Sequence, residues 1–218
     1  MSYESTAFYY KIINEEVNRR LGGLHSAKIL LSSVDFDEIK KMQNDGNWTE
    51  AAAVLSAEAK KLQNAGADFI IISTNTMHKV APEIAQNISV PLLHIAGPTA
   101  RKIKEDGLKK IGLLGTKFTM EHNFYTDILR REGLEILTPD AAQRETVHNI
   151  IFDELCKGVV KNSSRKKYLE IIDSLKERGA EGVILGCTEI CMLLKTASLP
   201  LYDTTAIHAK EAAHEALK

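Results

Sequence analysis

The chain has 218 residues, 44% of them hydrophobic, and its 28 Lys and Arg offset 29 Asp and Glu to a net charge of -1. That is enough apolar material for one large domain or two small ones with real cores. The near-neutral charge offers no electrostatic case for nucleic acid or an anionic membrane.

No apolar run approaches the roughly 20 residues of a membrane span. Met1-Ser2-Tyr3-Glu4 shows no basic region running into an apolar stretch, so no signal peptide is expected. Cys156, Cys187 and Cys191 make an odd set without metal-ligand clustering. They read as free thiols of a cytoplasmic protein, with no metal site.

Helical patterns alternate with short apolar runs. Ser5 to Leu21 is amphipathic and stops at Gly22-Gly23. Lys28 to Val34 reads as a strand. Asn47-Trp48-Thr49 caps an Ala-rich helix that ends at Gly66. A strand over 68–73 follows, then a short helix broken near Pro82 and a strand over 90–95. Helix 98–106 leads to strand 110–114, helix 119–132 and a short strand 134–138. Two further helices fill 140–178. Strand 182–186 precedes a helix, a short strand 199–202 and a final helix 204–217. Strands separated by helices imply parallel sheets joined by right-handed crossovers, an α/β fold.

The alternation contains a repeat. Gly66-Ala67-Asp68-Phe69-Ile70-Ile71-Ile72-Ser73-Thr74-Asn75-Thr76 aligns with Gly179-Ala180-Glu181-Gly182-Val183-Ile184-Leu185-Gly186-Cys187-Thr188-Glu189, about half the chain away. Each copy leads through a short helix to an apolar strand carrying proline, at Val90-Pro91-Leu92-Leu93 and Leu199-Pro200-Leu201-Tyr202. Two parallel-sheet lobes in a pseudo-two-fold arrangement are expected, lobe one from 1–96 plus 204–218 and lobe two from 97–203. Because ligands bind at the carboxyl ends of parallel strands, Thr74 and Cys187 are expected to reach one crevice. The second lobe opens with strand 110–114, whereas the first lobe's counterpart is missing ahead of Ser2. Truncation, a start-site choice or a strand from another chain would each account for that.

Cys187 follows a buried strand and is expected to open a helix, where backbone N–H groups and the helix dipole favour the thiolate. Thr188 and Glu189 add polar groups at the same mouth. Cys156 and Cys191 fall in helical patterns and read as buried small hydrophobes. In the other copy, Thr76 suits a helix cap, and a capped helix start with free N–H groups is a carboxylate site. Two such mouths facing a small anion could remove a proton from one face of a carbon and return it to the other.

These residues resemble the aspartate/glutamate racemase family, and most closely its bacterial L-aspartate/glutamate-specific branch. The motifs that carry the likeness are Met1-Ser2-Tyr3-Glu4-Ser5-Thr6, Gly22-Gly23-Leu24-His25-Ser26-Ala27, Ser33-Val34-Asp35-Phe36, Thr74 to Val80, Leu114-Gly115-Thr116, Gly186-Cys187-Thr188-Glu189 and Asp203 to His208. The resemblance implies two flavodoxin-like lobes, no cofactor, a homodimer, and two-base proton transfer at the α-carbon of a small dicarboxylic amino acid. It implies that Asn75, Thr76 and Thr188 hold the substrate carboxylate, with Glu189 beside them. It further implies that Gln43 and Met1 read the side-chain end, with Thr116 and Lys161 as weaker members. Typical relatives place a second cysteine where Thr74 stands, and the L-specific branch has threonine there.

A thiol is tuned to its anion far more readily than an aliphatic hydroxyl. Cys187 is therefore expected to be the competent base and Thr74 the poor one. His78 and His94 read as structural histidines, and His208 as a weaker candidate near Cys187. Two other readings compete. A single-cysteine decarboxylase or isomerase of the same superfamily needs only Cys187 as proton donor, and a non-catalytic small-acid sensor would use the cleft without turnover. A phosphocysteine carrier is disfavoured by Glu189, whose charge repels phosphate.

Overall fold

The computed structural model describes residues 2–218. In chain order the elements are α1 (Tyr3–Leu21), α2 (Phe36–Asn44), α3 (Trp48–Asn64), β1 (Ile70–Ile71), a 3-10 turn (Thr76–Val80), α4 (Ala81–Gln86), β2 (Leu92–Leu93), α5 (Ala96–Glu105) and β3 (Lys110–Gly115). There follow α6 (Lys117–Glu121), α7 (Asn123–Arg131), β4 (Glu135–Leu137), α8 (Ala141–Asp153), a 3-10 turn (Leu155–Lys157), α9 (Asn162–Glu177), β5 (Gly182–Gly186), α10 (Ile190–Leu193), β6 (Leu201–Asp203) and α11 (Thr204–Glu215). Every strand pair is parallel, as the helix–strand alternation implies.

Two compact units divide the chain. One holds residues up to Ser73, Met77–His94 and Ala209–Lys218; the other holds Thr74–Thr76 and Ile95–His208. In the first unit, β1 and β2 pair with Ile70 opposite Leu92 and Ile71 opposite Leu93. Ile39, Ala51, Leu55, Ala59, Met77 and Ile84 form one core cluster. Tyr9, Ile13 and Val17 of α1 form another with Ala209, Ala212 and Ala213. Helix α1 begins at Ser2, whose side chain accepts from the Ser5 N–H at 3.1 Å, and it stops at Gly22, whose φ of 75° suits glycine.

The strand expected over 28–34 does not form. That segment has no strand partner among the described residues, and Leu30 and Leu31 are 48% and 59% exposed. A strand requires a neighbour's backbone, and an apolar run cannot supply one. Conversely, α2 was not foreseen, although Asp35 caps it by accepting from the Asp37 N–H at 3.0 Å. The helix expected over 119–132 is two helices, because His122 is extended at ψ 147° between α6 and α7.

The second unit carries a four-stranded sheet of order β4-β3-β5-β6. Its centre is β3 against β5, in register from Ile111 opposite Gly182 to Gly115 opposite Gly186. Leu113, Leu114, Val183 and Ile184 are fully buried. Each such side chain contributes on the order of 1.5–3 kcal/mol by leaving water. Continuous burial along β5 is what helices on both faces of a parallel sheet impose.

In the first unit His94 packs edge-on against His78, with ring centroids 4.4 Å apart. Burial lowers the His94 pKa from 6.5 to about 4. The unfolded chain therefore binds a proton that the folded chain refuses. The resulting stability is present above pH 6.5 and is lost as pH falls from 6.5 towards about 4. His94→Gln is expected to remove about 2–3 kcal/mol of that acid-side slope, read from urea unfolding at successive pH values. An unchanged slope would show that His94 is not held neutral by the fold.

Candidate active site

The sheet order itself locates a crevice. The chain leaves β3 for β4 on one side, then crosses back to place β5 on the other side. A parallel sheet opens at the carboxyl ends of the strands where its winding reverses. Here those ends are Gly115-Thr116 and Gly186-Cys187. The two glycines face each other across the ladder. A methyl at Gly186 would lie 2.9 Å from the Leu114 carbonyl oxygen, and one at Gly115 would lie 2.9 Å from the Gly186 carbonyl oxygen. The strand ends thus meet at backbone distance, with Thr116 and Cys187 following immediately.

Thr116 caps α6, its hydroxyl accepting from the Thr119 N–H at 3.3 Å. The Thr116 and Thr119 hydroxyls are 3.2 Å apart. Thr76 joins them at 3.1 Å from Thr116 and 3.5 Å from Thr119. All three side chains are buried, and in each pair either oxygen can be the donor. Thr119 is absent from the sequence-derived set, and its spacing from the Thr116 cap is the only local signal it gives.

Asn75 is oriented by an equally specific chain. The Thr204 hydroxyl donates its one proton to the Leu185 carbonyl at 2.8 Å, so towards Asn75 it can only accept. Asn75 Nδ2 donates to it at 3.0 Å. The Asn75 Oδ1 is then buried with no hydrogen-bond partner among the described residues. An orphaned buried acceptor costs on the order of 1–3 kcal/mol, and it marks a place where a donor can bind. Thr204 lies in the 203–208 block that carried the resemblance, but nothing local distinguishes its hydroxyl.

At the end of β5, one carboxylate oxygen serves two donors. Glu189 Oε2 accepts from Cys187 Sγ at 3.0 Å and from Thr188 Oγ1 at 2.7 Å. Cys191 Sγ reaches the Thr188 carbonyl at 3.1 Å. Glu189 is 5% exposed and Cys187 is 9% exposed. Burial pushes the Cys187 thiol well up, and the adjacent Glu189 charge adds to this, while the Glu189 backbone N–H pulls the other way. Burial likewise pushes Cys191 up to about 12.

The thiolate expected at Cys187 from a helix dipole is therefore not favoured in this state. Helix α10 has four residues and starts three positions beyond Cys187, too short and too distant to offset burial. The resting sulfur is a protonated thiol hydrogen-bonded to a carboxylate. Thr188 likewise spends its only hydroxyl proton on Glu189, so its oxygen can otherwise only accept. With Asn75 Oδ1, these side chains offer acceptors of the kind that suit an ammonium group.

Thr74 is half-buried and belongs with Asn75 and Thr76 to the second unit, as do Thr116, Cys187, Thr188 and Glu189. Lys161 also belongs to that unit, but its amine forms an exposed ion pair with Glu154 at 3.1 Å, and Glu154 is further tied to Ser164. Gln43 lies in the first unit, buried, with its amide nitrogen 2.8 Å from Met77 Sδ. Met1 lies outside the described residues. His208 is fully buried. Among the described residues no group of three or more His, Cys, Asp or Glu is arranged to hold a metal ion, and no helix is long and apolar enough to cross a membrane.

Residues 1–212 match the Asp/Glu/hydantoin racemase family model. The broad specificity amino-acid racemase RacX of Bacillus subtilis is 30% identical over 183 residues, covering 81% of this chain and 72% of its own length. A crystal structure of a candidate Asp/Glu racemase from Yersinia pestis superposes with a TM-score of 0.92 at 51% identity, covering 100% of this chain and 96% of that one. An aspartate racemase homologue from Pyrococcus horikoshii gives a TM-score of 0.84 at 33% identity, with the same coverage of 100% and 96%.

Gly186→Ala is expected to cost about 1–3 kcal/mol, because the new methyl meets backbone that cannot yield. A lowered urea midpoint with intact cooperativity checks this, and an unchanged midpoint would contradict the close approach. Cys187 is expected to react with iodoacetamide more slowly than a free thiol near neutral pH, with a rate that climbs only well into alkaline pH. Site-resolved mass spectrometry distinguishes it from Cys156 and Cys191. Fast alkylation at neutral pH would contradict the protonated thiol.

Proposed function

The chain belongs to the Asp/Glu/hydantoin racemase family, and on that premise we propose that it interconverts the L and D forms of glutamate, aspartate or both by direct proton transfer at the α-carbon. The observation that carries this reading is the hydrogen-bonded Cys187–Glu189 pair at the carboxyl end of β5, with an unsatisfied Asn75 Oδ1 on a side chain tied through Thr204 to the Leu185 carbonyl of the same strand.

Cys187 acts as the acid–base group on one face. In the empty site its proton is held by burial and by the Glu189 charge. A bound substrate brings an ammonium group, and a positive charge within about 4–6 Å favours the thiolate. Asn75 Oδ1 and the Thr188 lone pairs would receive that ammonium, so substrate recognition and thiol activation become one event. Glu189 is the natural acceptor for the thiol proton, because its carboxylate already receives that hydrogen bond.

Thr74 serves the opposite face. A lone hydroxyl donates a proton far more readily than it abstracts one, so Thr74 works through a hydrogen-bonded neighbour. Thr76 and Thr116, with backbone N–H groups, hold the carboxylate as negative charge develops next to it. Gln43 and Lys161 remain proposals of the resemblance alone, without supporting geometry around Cys187.

A second reading draws on the same protonated thiol. A decarboxylase of the superfamily needs one proton donor and no base, and resting Cys187 is already in that form. Release of carbon dioxide from a substituted malonate, without exchange at amino-acid α-carbons, would favour it.

Proton NMR in deuterated buffer separates these readings. The α-proton signals of L- and D-glutamate and L- and D-aspartate are followed with enzyme present. Loss of signal from both enantiomers of at least one acid is expected, and Cys187→Ala should slow it by about 10²–10⁴-fold, the usual contribution of a positioned acid–base group. Exchange in none of the four would sink the racemase reading, whereas full exchange by Cys187→Ala would sink the role of the thiol.

A further inference from the structure

Helix α11 starts where β6 stops, and one side chain already serves that junction. Asp203 Oδ1 accepts from the Thr205 N–H at 2.9 Å and from the Ala206 N–H at 3.2 Å. Two of the first N–H groups of the helix are thereby satisfied. The Thr204 hydroxyl, on a fully buried side chain, is not needed for the cap. It turns to the sheet instead and donates to the Leu185 carbonyl at 2.8 Å, where Leu185 stands opposite Asp203 in the β5–β6 ladder. Asn75, Leu185 and Thr204 all belong to the second unit.

A carbonyl only accepts, and a threonine hydroxyl has one proton. The Thr204 oxygen therefore has only lone pairs left for Asn75. The Asn75 amide must approach it through nitrogen, as it does at 3.0 Å. Turned the other way round, the amide would set its oxygen against those lone pairs. The wiring thus fixes which end of the amide is free. It is the oxygen, which is buried without a hydrogen-bond partner among the described residues. An unpaired buried acceptor is unfavourable, and turning the amide would only move the mismatch to Thr204. A donor on a ligand relieves it.

We propose that Thr204 is a positioning residue that makes the site selective for a cationic amine. It acts through Asn75, whose amide it holds with the acceptor end free. An amino acid brings an ammonium donor to that oxygen, whereas a dicarboxylic acid without the amine leaves it unpaired. Discrimination of this kind is large, because the rejected ligand leaves a buried polar group unsatisfied. Thr204 thereby sorts amino acids from their amine-free analogues without touching either. Its role rests on the racemase reading for the class of ligand, although selective binding needs no turnover.

Titration calorimetry compares aspartate with succinate and glutamate with glutarate, each pair differing only in the amine. The starting protein is expected to favour the amino acid of at least one pair by about tenfold or more, the usual worth of a hydrogen bond to a charged group. Thr204→Ser keeps the hydroxyl and should keep that ratio. Thr204→Val keeps the shape and should lower it by about tenfold. A merely structural role would weaken both ligands alike and leave the ratio. In an Asn75→Ala background, Thr204→Val should change the ratio no further. If Thr204→Val does not fold, Thr204→Ala, which only removes atoms, carries the same comparison. Without ligand, the Asn75 side-chain amide protons, assigned by their loss in Asn75→Ala, should exchange with solvent about tenfold faster in Thr204→Val. An unchanged ratio or unchanged amide exchange in that variant would overturn the proposal, as would a starting protein without preference. If the ratios behave as expected while no α-proton exchanges, the racemase reading fails and Thr204 keeps its role.

Discussion

The candidate site depends on one close approach, that of β3 and β5 at Gly115 and Gly186. Neither position has room for a methyl group without striking the opposite backbone. Because the strands end there in register, Thr116 and Cys187 emerge side by side at the point where the sheet's winding reverses. The threonine cluster and the Cys187–Glu189 pair are consequences of where those two strands stop. Side-chain chemistry is set by the neighbours that this geometry imposes, above all a carboxylate 3.0 Å from the sulfur.

That carboxylate changes what the sulfur is. A cysteine at a long helix start near a cation would be a standing thiolate. This one is buried, next to a negative charge, and three residues ahead of a single helical turn. The resting sulfur is therefore protonated, and in the proposed reaction it becomes a base only when a positive charge enters. In the proposed reaction such a charge would meet the orphaned Asn75 Oδ1 and the Thr188 oxygen, whose proton goes to Glu189. The proposed function thus couples recognition of an ammonium group to release of the thiol proton by electrostatics.

Much of the architecture was legible because it follows from local pattern. Strand 182–186 is an uninterrupted apolar run and reappears at the same residues as β5. Strand 110–115 differs from its expectation by one residue. The Asn47 cap placed the start of α3 correctly. Lys28–Val34 misled because a strand is a pairwise object, and an apolar run says nothing about whether a neighbour is present. Glu189 was visible as a polar residue near Cys187, but its effect on the thiol depends on a side-chain rotamer and on burial. Thr119 and Thr204 were missed for the same reason: a threonine in sequence carries no sign of which hydroxyl or carbonyl it will meet.

The coupling between ammonium binding and the thiol is the central claim, and thiolate ultraviolet absorbance tests it most directly. The measurement compares the protein with Cys187→Ser at neutral pH, with and without glutamate or aspartate. No Cys187-dependent thiolate is expected in the empty protein, and one should appear when the amino acid binds. A thiolate already present without ligand, or none when the site is saturated, would contradict it.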